Sequence, residues 1–241
     1  MVSETHRGFA GRVCSSRDST PTKRDDRNAA RIAFDSETAA AVRAAGRTAE
    51  TVGVDLGDPA AVAGTAQEVL GTHQIDILVN NAGIIRRGPA ESFDFADWRA
   101  VLSVNLDAVF LLSQACGAAM LERGSGKVIT VASVLSFQGG LNVSAYAAGK
   151  HAVAGLTRSL ANEWASRGVQ VNALAPGYVE TNNTQPLVDD EDRYAAIRDR
   201  IPAGRWASPR EMVGAAVFLA SPASDYVNGH VLVVDGGWMA R

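Results

Sequence analysis

The chain has 241 residues, of which 46% are hydrophobic and 20% charged, and a formal net charge of −3 at pH 7. This length can bury the core of one α/β domain or at most two, and the weak negative charge argues against nucleic acid or an anionic membrane as a partner. No apolar run approaches a membrane span, no signal-peptide core is present, and the two cysteines, Cys14 and Cys116, are expected to be reduced thiols in a cytoplasmic protein.

The first 34 residues differ in composition from the rest of the chain. They contain eleven charged residues but only five Val, Ile, Leu or Phe. Such a segment buries too little apolar surface to offset the conformational entropy that folding removes. We therefore expect residues 1–34 to be disordered and residues 35–241 to form the folded domain.

From Ser36 onward, predicted helices alternate with predicted strands. The apolar period and the caps predict helices over 36–46, 58–71, 95–124 and 144–168. Short apolar runs predict strands over 49–56, 75–83, 126–133, 169–177 and 231–237. Strands that are apolar throughout and alternate with helices indicate a parallel, doubly wound α/β sheet.

Ligands of such sheets bind beyond the carboxyl ends of the strands. Four predicted strands end in polar or turn residues, namely Asp55, Asn81, Ser133 and the pair Pro176–Gly177. The sequence therefore predicts a functional site at this edge.

Tyr146 and Lys150 are separated by four positions in a predicted helix, so their side chains share one face. A neighbouring ammonium favours the phenolate and lowers the pKa of a tyrosine. Such a phenol could exchange a proton with a substrate hydroxyl near neutral pH. A half-buried tyrosine beside a solvated lysine gives the same spacing, so this pair alone does not establish a site.

Ser133 and Asn105 strengthen the hypothesis. Ser133 ends a predicted buried strand, where its hydroxyl could hold a substrate oxygen against Tyr146, although it could also only cap a turn. Asn105 lies in the middle of a predicted helix among Val104, Leu106 and Val109. Asparagine is a poor helix former, so this residue either faces solvent or is buried and hydrogen-bonded.

Together these motifs resemble the short-chain dehydrogenase/reductase family. The resemblance covers about residues 36–241 and rests on the order of "VDL", "NNAG", "VN", Ser133, "YAAGK" and "APG". It implies a Rossmann-like fold, NAD as cofactor with NADP as an alternative, no metal, and a homotetramer assembled through the long helices at 94–123 and 144–167.

The resemblance also implies a role for each site residue. Tyr146 would be the general acid/base, Lys150 would lower its pKa, Ser133 would position the substrate oxygen and Asn105 would hold a relay water. The residues that it places beside the cofactor are Asp55, Leu56, Asn81, Ala82, Gly83, Tyr146, Lys150, Pro176, Gly177, Val179 and Thr181.

Further segments, among them "NAGIIRR" and "APGYVETNNT", are similar to members of the family that act on sugar acids of the 2-deoxy-gluconate or 2-dehydro-3-deoxy-gluconate type. An acid substrate needs a cationic partner. Arg86, Arg87 and Arg205 are the candidates, and each could equally be a surface arginine.

One departure stands against the resemblance. The family begins with a strand and a glycine-rich phosphate loop, whereas Gly8 and Gly11 have neither an apolar strand before them nor a periodic helix after them. Without that strand, the strand at 75–83 would have an unpaired edge. One hypothesis is a frame or gene-start error, which resequencing the upstream DNA would test. A non-catalytic relic that only binds or pairs subunits stays open as an alternative.

Overall fold

The computed structural model describes residues 36–241, and the expectations for residues 1–34 and for Cys14 lie outside that range. Eight α-helices are found there. Their bounds are Ser36–Ala44 (α1), Pro59–Thr72 (α2), Phe95–Leu102 (α3), Ala108–Arg123 (α4), Ser144–Trp164 (α5), Gln185–Val188 (α6), Glu191–Arg200 (α7) and Val213–Ala220 (α8).

Four parallel strands form one sheet in the order β1-β2-β3-β4. They span Ile77–Asn80 (β1), Gly126–Val131 (β2), Val169–Pro176 (β3) and Val231–Val234 (β4). Every pair is linked by a crossover that contains helix, as parallel pairing requires. The parallel α/β sheet predicted from the alternation of elements is therefore confirmed.

Helices cover both faces of this sheet. Val128 and Val171 lie on one face and pack against α4 and α5, whereas Ile129 and Leu174 lie on the other face and pack against Leu219 of α8. Because side chains alternate along a strand, strands buried on both sides are apolar throughout. This explains the continuous apolar runs of the sequence.

The strand predicted over 49–56 is wrong, because residues 47–55 contain no helix or strand. Val54 and Leu56 are nevertheless buried, in a cluster with Val62 and Val104. A strand is defined by hydrogen bonds to a neighbour, and among residues 36–241 no strand pairs with this segment or with the outer edge of β1. The apolar pattern thus gave burial correctly and secondary structure incorrectly.

The helix predicted over 95–124 is nearly continuous, but a π-helical turn at Ser103–Asp107 joins α3 to α4. Gly124 ends it in the left-handed conformation, as predicted for a glycine C-cap. Contrary to the expectation from the sequence, Phe95–Arg123 is long and apolar enough to cross a membrane by length and composition alone. Its apolar residues Cys116 and Met120 pack against the sheet in the core.

Candidate active site

The carboxyl ends of the strands bring most of the predicted site residues together. β1 leads into Asn81–Gly83, β2 leads to Ser133, and β3 ends at Pro176. Helix α5 joins this edge near its start, because Lys150 Nζ donates a 2.6 Å hydrogen bond to the carbonyl of Val131. One edge of the sheet thus holds a serine, a tyrosine, a lysine and an open glycine turn.

Ser133 and Tyr146 lie close enough at the centre of this edge for their hydroxyl groups to influence each other. Burial raises the pKa of the Tyr146 phenol, and the nearby Ser133 hydroxyl and the positive charge of Arg87 only partly offset it. The expectation that Lys150 lowers this pKa stays a prediction. Lys150 Nζ lies 5.5 Å from the centroid of the tyrosine ring and directs its hydrogen bond to Val131 instead.

Lys150 is a buried cation, with 5% of its surface exposed. Burial lowers the pKa of its ammonium group to about 8. The ammonium has three N–H donors, Val131 accepts one of them, and among residues 36–241 no carboxylate forms an ion pair with it. The remaining donors fit a neutral, hydroxyl-rich ligand such as a ribose.

Asn105 clamps the turn that follows β1. It is 1% exposed, its Oδ1 accepts from the Ile84 amide at 2.8 Å, and its Nδ2 donates to the Ile84 carbonyl at 2.9 Å. It also lies within the π-helical turn, a distortion that is frequent at functional sites. Each of these two atoms keeps one further hydrogen-bonding site, the second lone pair of Oδ1 and the second N–H of Nδ2, and the relay water stays a prediction.

Gly83 keeps the space between β1 and α5 open. A Cβ atom added to it would lie 3.4 Å from Asn105 Oδ1 and 3.8 Å from Lys150 Nζ. A side chain there would cover both groups, whereas glycine lets a ligand approach the backbone closely. Together with the free Lys150 donors, this gap fits the nicotinamide half of a dinucleotide.

The other residues predicted near the adenine end are more scattered. Asp55 is exposed and does not end a strand; its Oδ1 accepts from the Gly57 amide at 2.8 Å. Leu56 is a core residue, 4% exposed, and Ala82 packs against the same cluster. Asn81 is exposed at the end of β1.

The segment after β3 is shaped by packing within the protein. A Cβ atom on Gly177 would lie 2.7 Å from the Cα atom of Asp235, so this turn accepts no side chain. Val179 is buried and pairs with Ala207. Thr181 is exposed, and its amide donates to Thr184 Oγ1 at 2.9 Å.

The three candidate arginines have different surroundings. Arg87 Nη2 donates to the Asn183 carbonyl at 3.1 Å, and its charge acts on Tyr146. Arg86 pairs with Asp97 at 3.6 Å. Arg205 is exposed and held by two bonds to Glu211 of 2.6 and 2.9 Å, and this contact holds the pKa of that carboxyl at about 2. Of the three, only Arg87 acts electrostatically on the tyrosine.

Two residues at the site were missed in the sequence. Ser136 is buried and donates a hydrogen bond to the backbone carbonyl of Lys150. The sequence indicates this contact only by placing Ser136 three residues after Ser133. Asn183 contacts Arg87 across 96 residues of sequence. No local pattern in the sequence indicates such a distant contact.

Comparison with known proteins supports the same interpretation. The family profile described as enoyl-(acyl carrier protein) reductase matches residues 27–239. The chain is 57% identical over 206 residues to a 2-dehydro-3-deoxy-D-gluconate 5-dehydrogenase of Bacillus subtilis. The aligned region covers 86% of this chain and 81% of that protein.

Solved structures are similar over the same range. A protein from Beutenbergia cavernae with bound NADP has a TM-score of 0.83 at 60% identity, over 85% of this chain and 82% of its own. A gluconate 5-dehydrogenase from Burkholderia cenocepacia in complex with NADP and tartrate has a TM-score of 0.82 at 44% identity, over 85% of this chain and 81% of its own.

Proposed function

We propose, on the premise that this chain belongs to the short-chain dehydrogenase/reductase family, that it interconverts a hydroxyl and a keto group on a sugar acid. NAD or NADP, when bound, supplies or accepts the hydride. The observation that carries the proposal is the Ser133–Tyr146 pair beside the buried ammonium of Lys150. The relatives found by comparison lend no support to the alternative of a non-catalytic relic.

In this proposal the chain's own residues move the proton and hold the reacting groups. In the oxidation direction, the Tyr146 phenolate accepts the proton of the substrate hydroxyl while Ser133 donates a hydrogen bond to the same oxygen. When the cofactor is bound, Lys150 would direct its free donors to the ribose. Asn105 keeps the turn at Ile84 in place. Because burial raises the pKa of Tyr146, we expect oxidation to be faster at alkaline pH.

Arg87 is the proposed partner of the substrate carboxylate. Its charge acts on Tyr146, whereas Arg205 is neutralised by Glu211 and Arg86 is paired with Asp97. A guanidinium can bind a carboxylate with two parallel hydrogen bonds. The substrate type follows from the relatives, and the 2-dehydro-3-deoxy-gluconate, 2-deoxy-gluconate and gluconate types are the first to test.

The test is turnover by the purified chain. Each sugar acid is offered with NAD and with NADP, the corresponding keto acids with the reduced forms, and the nicotinamide absorbance is followed. We expect turnover that is lost in Tyr146→Phe. The proposal is wrong if no acid is turned over although NADH binds, as measured by nicotinamide fluorescence. If NADH does not bind, the relic alternative is favoured.

We further propose a cytoplasmic homotetramer. Helices α2, α4 and α5, with the π-helical turn before α4, form a groove of about 400 Å³, whose lining residues are Pro59, Leu106, Asp107, Phe110, Leu111 and Leu156. Phe110 is 41% exposed there. Exposed apolar patches of this kind are typical of protein interfaces, and a second copy of the same helices offers a matching apolar face.

A further inference from the structure

The hydroxyl of Ser136 connects the two parts of the chain that carry Ser133 and Tyr146. Ser136 ends the short 3-10 turn Val134–Ser136 that follows β2, and it is 6% exposed. Its Oγ donates to the backbone carbonyl of Lys150 at 2.6 Å. The same Oγ accepts from the Ser133 amide at 3.3 Å.

These two bonds fix the direction of the contact. A serine hydroxyl has a single proton, and the carbonyl of Lys150 can only accept. The proton therefore points toward α5, and the Ser133 amide donates to the oxygen. The hydrogen bonds therefore run from the Ser133 amide to the Ser136 hydroxyl and from this hydroxyl to the carbonyl of Lys150. The donor and the acceptor cannot exchange roles in either bond.

The same turn also orients the hydroxyl of Ser133. The Leu135 amide donates to Ser133 Oγ at 3.1 Å, which completes a capping box with Ser136. One acceptor site of Ser133 Oγ is thereby occupied, and its proton is left for another acceptor. Before a substrate binds, this arrangement leaves the Ser133 proton available to the Tyr146 oxygen, the polarity that stabilises a phenolate.

The Lys150 carbonyl lies one helical turn after Tyr146 on α5. A bond to this carbonyl therefore ties the end of β2 to the turn that carries both Tyr146 and Lys150. Misplacing reacting groups by about 1 Å can cost roughly a hundredfold in rate, so such a bond is expected to affect catalysis.

We propose that Ser136 is a positioning residue that sets the distance and the donor direction between Ser133 and Tyr146. The inference rests on the proposed oxidoreductase function for its kinetic consequences. It does not require Ser136 to touch substrate or cofactor.

The first experiment compares Ser136→Ala with Ser136→Thr and with Thr157→Val as a matched control. Thr157 is also buried and donates to a backbone carbonyl of α5, that of Val153 at 2.8 Å, but away from the site. We expect Ser136→Ala to lower kcat roughly tenfold with little change in KM, and to move the alkaline limb of the pH profile to higher pH. Ser136→Thr keeps the hydroxyl and is expected to restore most of the rate, and Thr157→Val should retain it.

A double-mutant cycle separates positioning from general destabilisation. In a Ser133→Ala background, Ser136→Ala should cost less than about twofold, because the group that it positions is gone. If the loss of kcat in the double mutant equals the product of the losses in the two single mutants, the proposal is wrong. A Ser136→Ala protein whose melting temperature falls while kcat and the pH limb stay unchanged would also overturn it.

A spectroscopic titration tests the proposal without substrate. Ultraviolet difference spectra against Tyr146→Phe follow the Tyr146 phenol alone, and we expect Ser136→Ala to raise its pKa relative to the wild type. An unchanged titration contradicts the inference even if no substrate is found. Failure of the proposed function would instead appear in the wild type, as an absence of turnover with every sugar acid.

Discussion

At the scale of single residues, Lys150 has the largest conflict between burial and charge. The ammonium group of Lys150 has a pKa of 10.5 in the unfolded chain and of about 8 in the folded protein. Between these values the unfolded state binds more protons, so the stability of the folded state rises with pH. Below pH 8 the full cost of the buried charge is present.

Lys150→Met removes that cost. The lowering of the Lys150 pKa from 10.5 to about 8 corresponds to roughly 3 kcal/mol of lost stability in the wild type. The variant regains this stability but loses about 1 kcal/mol because the hydrogen bond to Val131 is gone. We expect the variant to be more stable than the wild type at pH 7, with the difference shrinking toward about pH 10. Urea unfolding at both pH values measures this. A loss of stability of equal size at both would contradict the assignment.

Arg87→Met tests the carboxylate partner. Removing a charged hydrogen-bond partner costs about 1.5–3 kcal/mol, so we expect KM for a sugar acid to rise roughly tenfold to a hundredfold. KM for a neutral ketone should change little. Arg205→Met is the matched control, since Glu211 already neutralises that guanidinium. Equal effects of the two substitutions on KM would mean that Arg87 has no special role.

At the scale of elements, the close packing of α4 on α5 depends on one glycine. A Cβ atom on Gly117 would lie 2.5 Å from the ring of Trp164, so the two helices meet where one has no side chain. Both residues are buried, and Trp164 belongs to the core cluster that covers β2 and β3. This contact therefore helps to set the position of α5, which carries Tyr146.

Gly117→Ala should accordingly destabilise the protein by about 1–3 kcal/mol, because overpacking strains the core. Gly155→Ala, on an open face of α5 with nothing within 4 Å, should instead stabilise it by up to about 1 kcal/mol through helix propensity. Thermal melts of the pair measure the difference. If both substitutions stabilise the protein, the helices are not in contact at Gly117.

At the scale of the whole molecule, the apolar groove of α2, α4 and α5 predicts self-association. Phe110→Asp places a charge in the groove and should shift the protein toward smaller species, as measured by light scattering during size-exclusion chromatography. Gln67→Asp adds the same charge on the exposed face of α2 and should leave the assembly unchanged. A wild-type monomer, or a Phe110→Asp protein of unchanged mass, would place the interface elsewhere.

The sequence predicted the parallel sheet and its long helices because their signals are local. Caps such as Asp58 and stops such as Gly124 act within a few residues, and strands buried on both faces are apolar throughout. It failed at 49–56, because an apolar run specifies burial, whereas a strand also needs a neighbour with which to pair.

By itself, then, the sequence determined the fold class and which residue types reach the carboxyl edge of the sheet. Only the tertiary structure decided how those residues act on one another. Burial is the largest influence on the pKa of Tyr146, Asn105 is engaged by Ile84, and Ser136 connects the end of β2 to α5. Hydrogen-bond partners and desolvation depend on atoms that are distant along the chain, and a one-dimensional pattern contains neither.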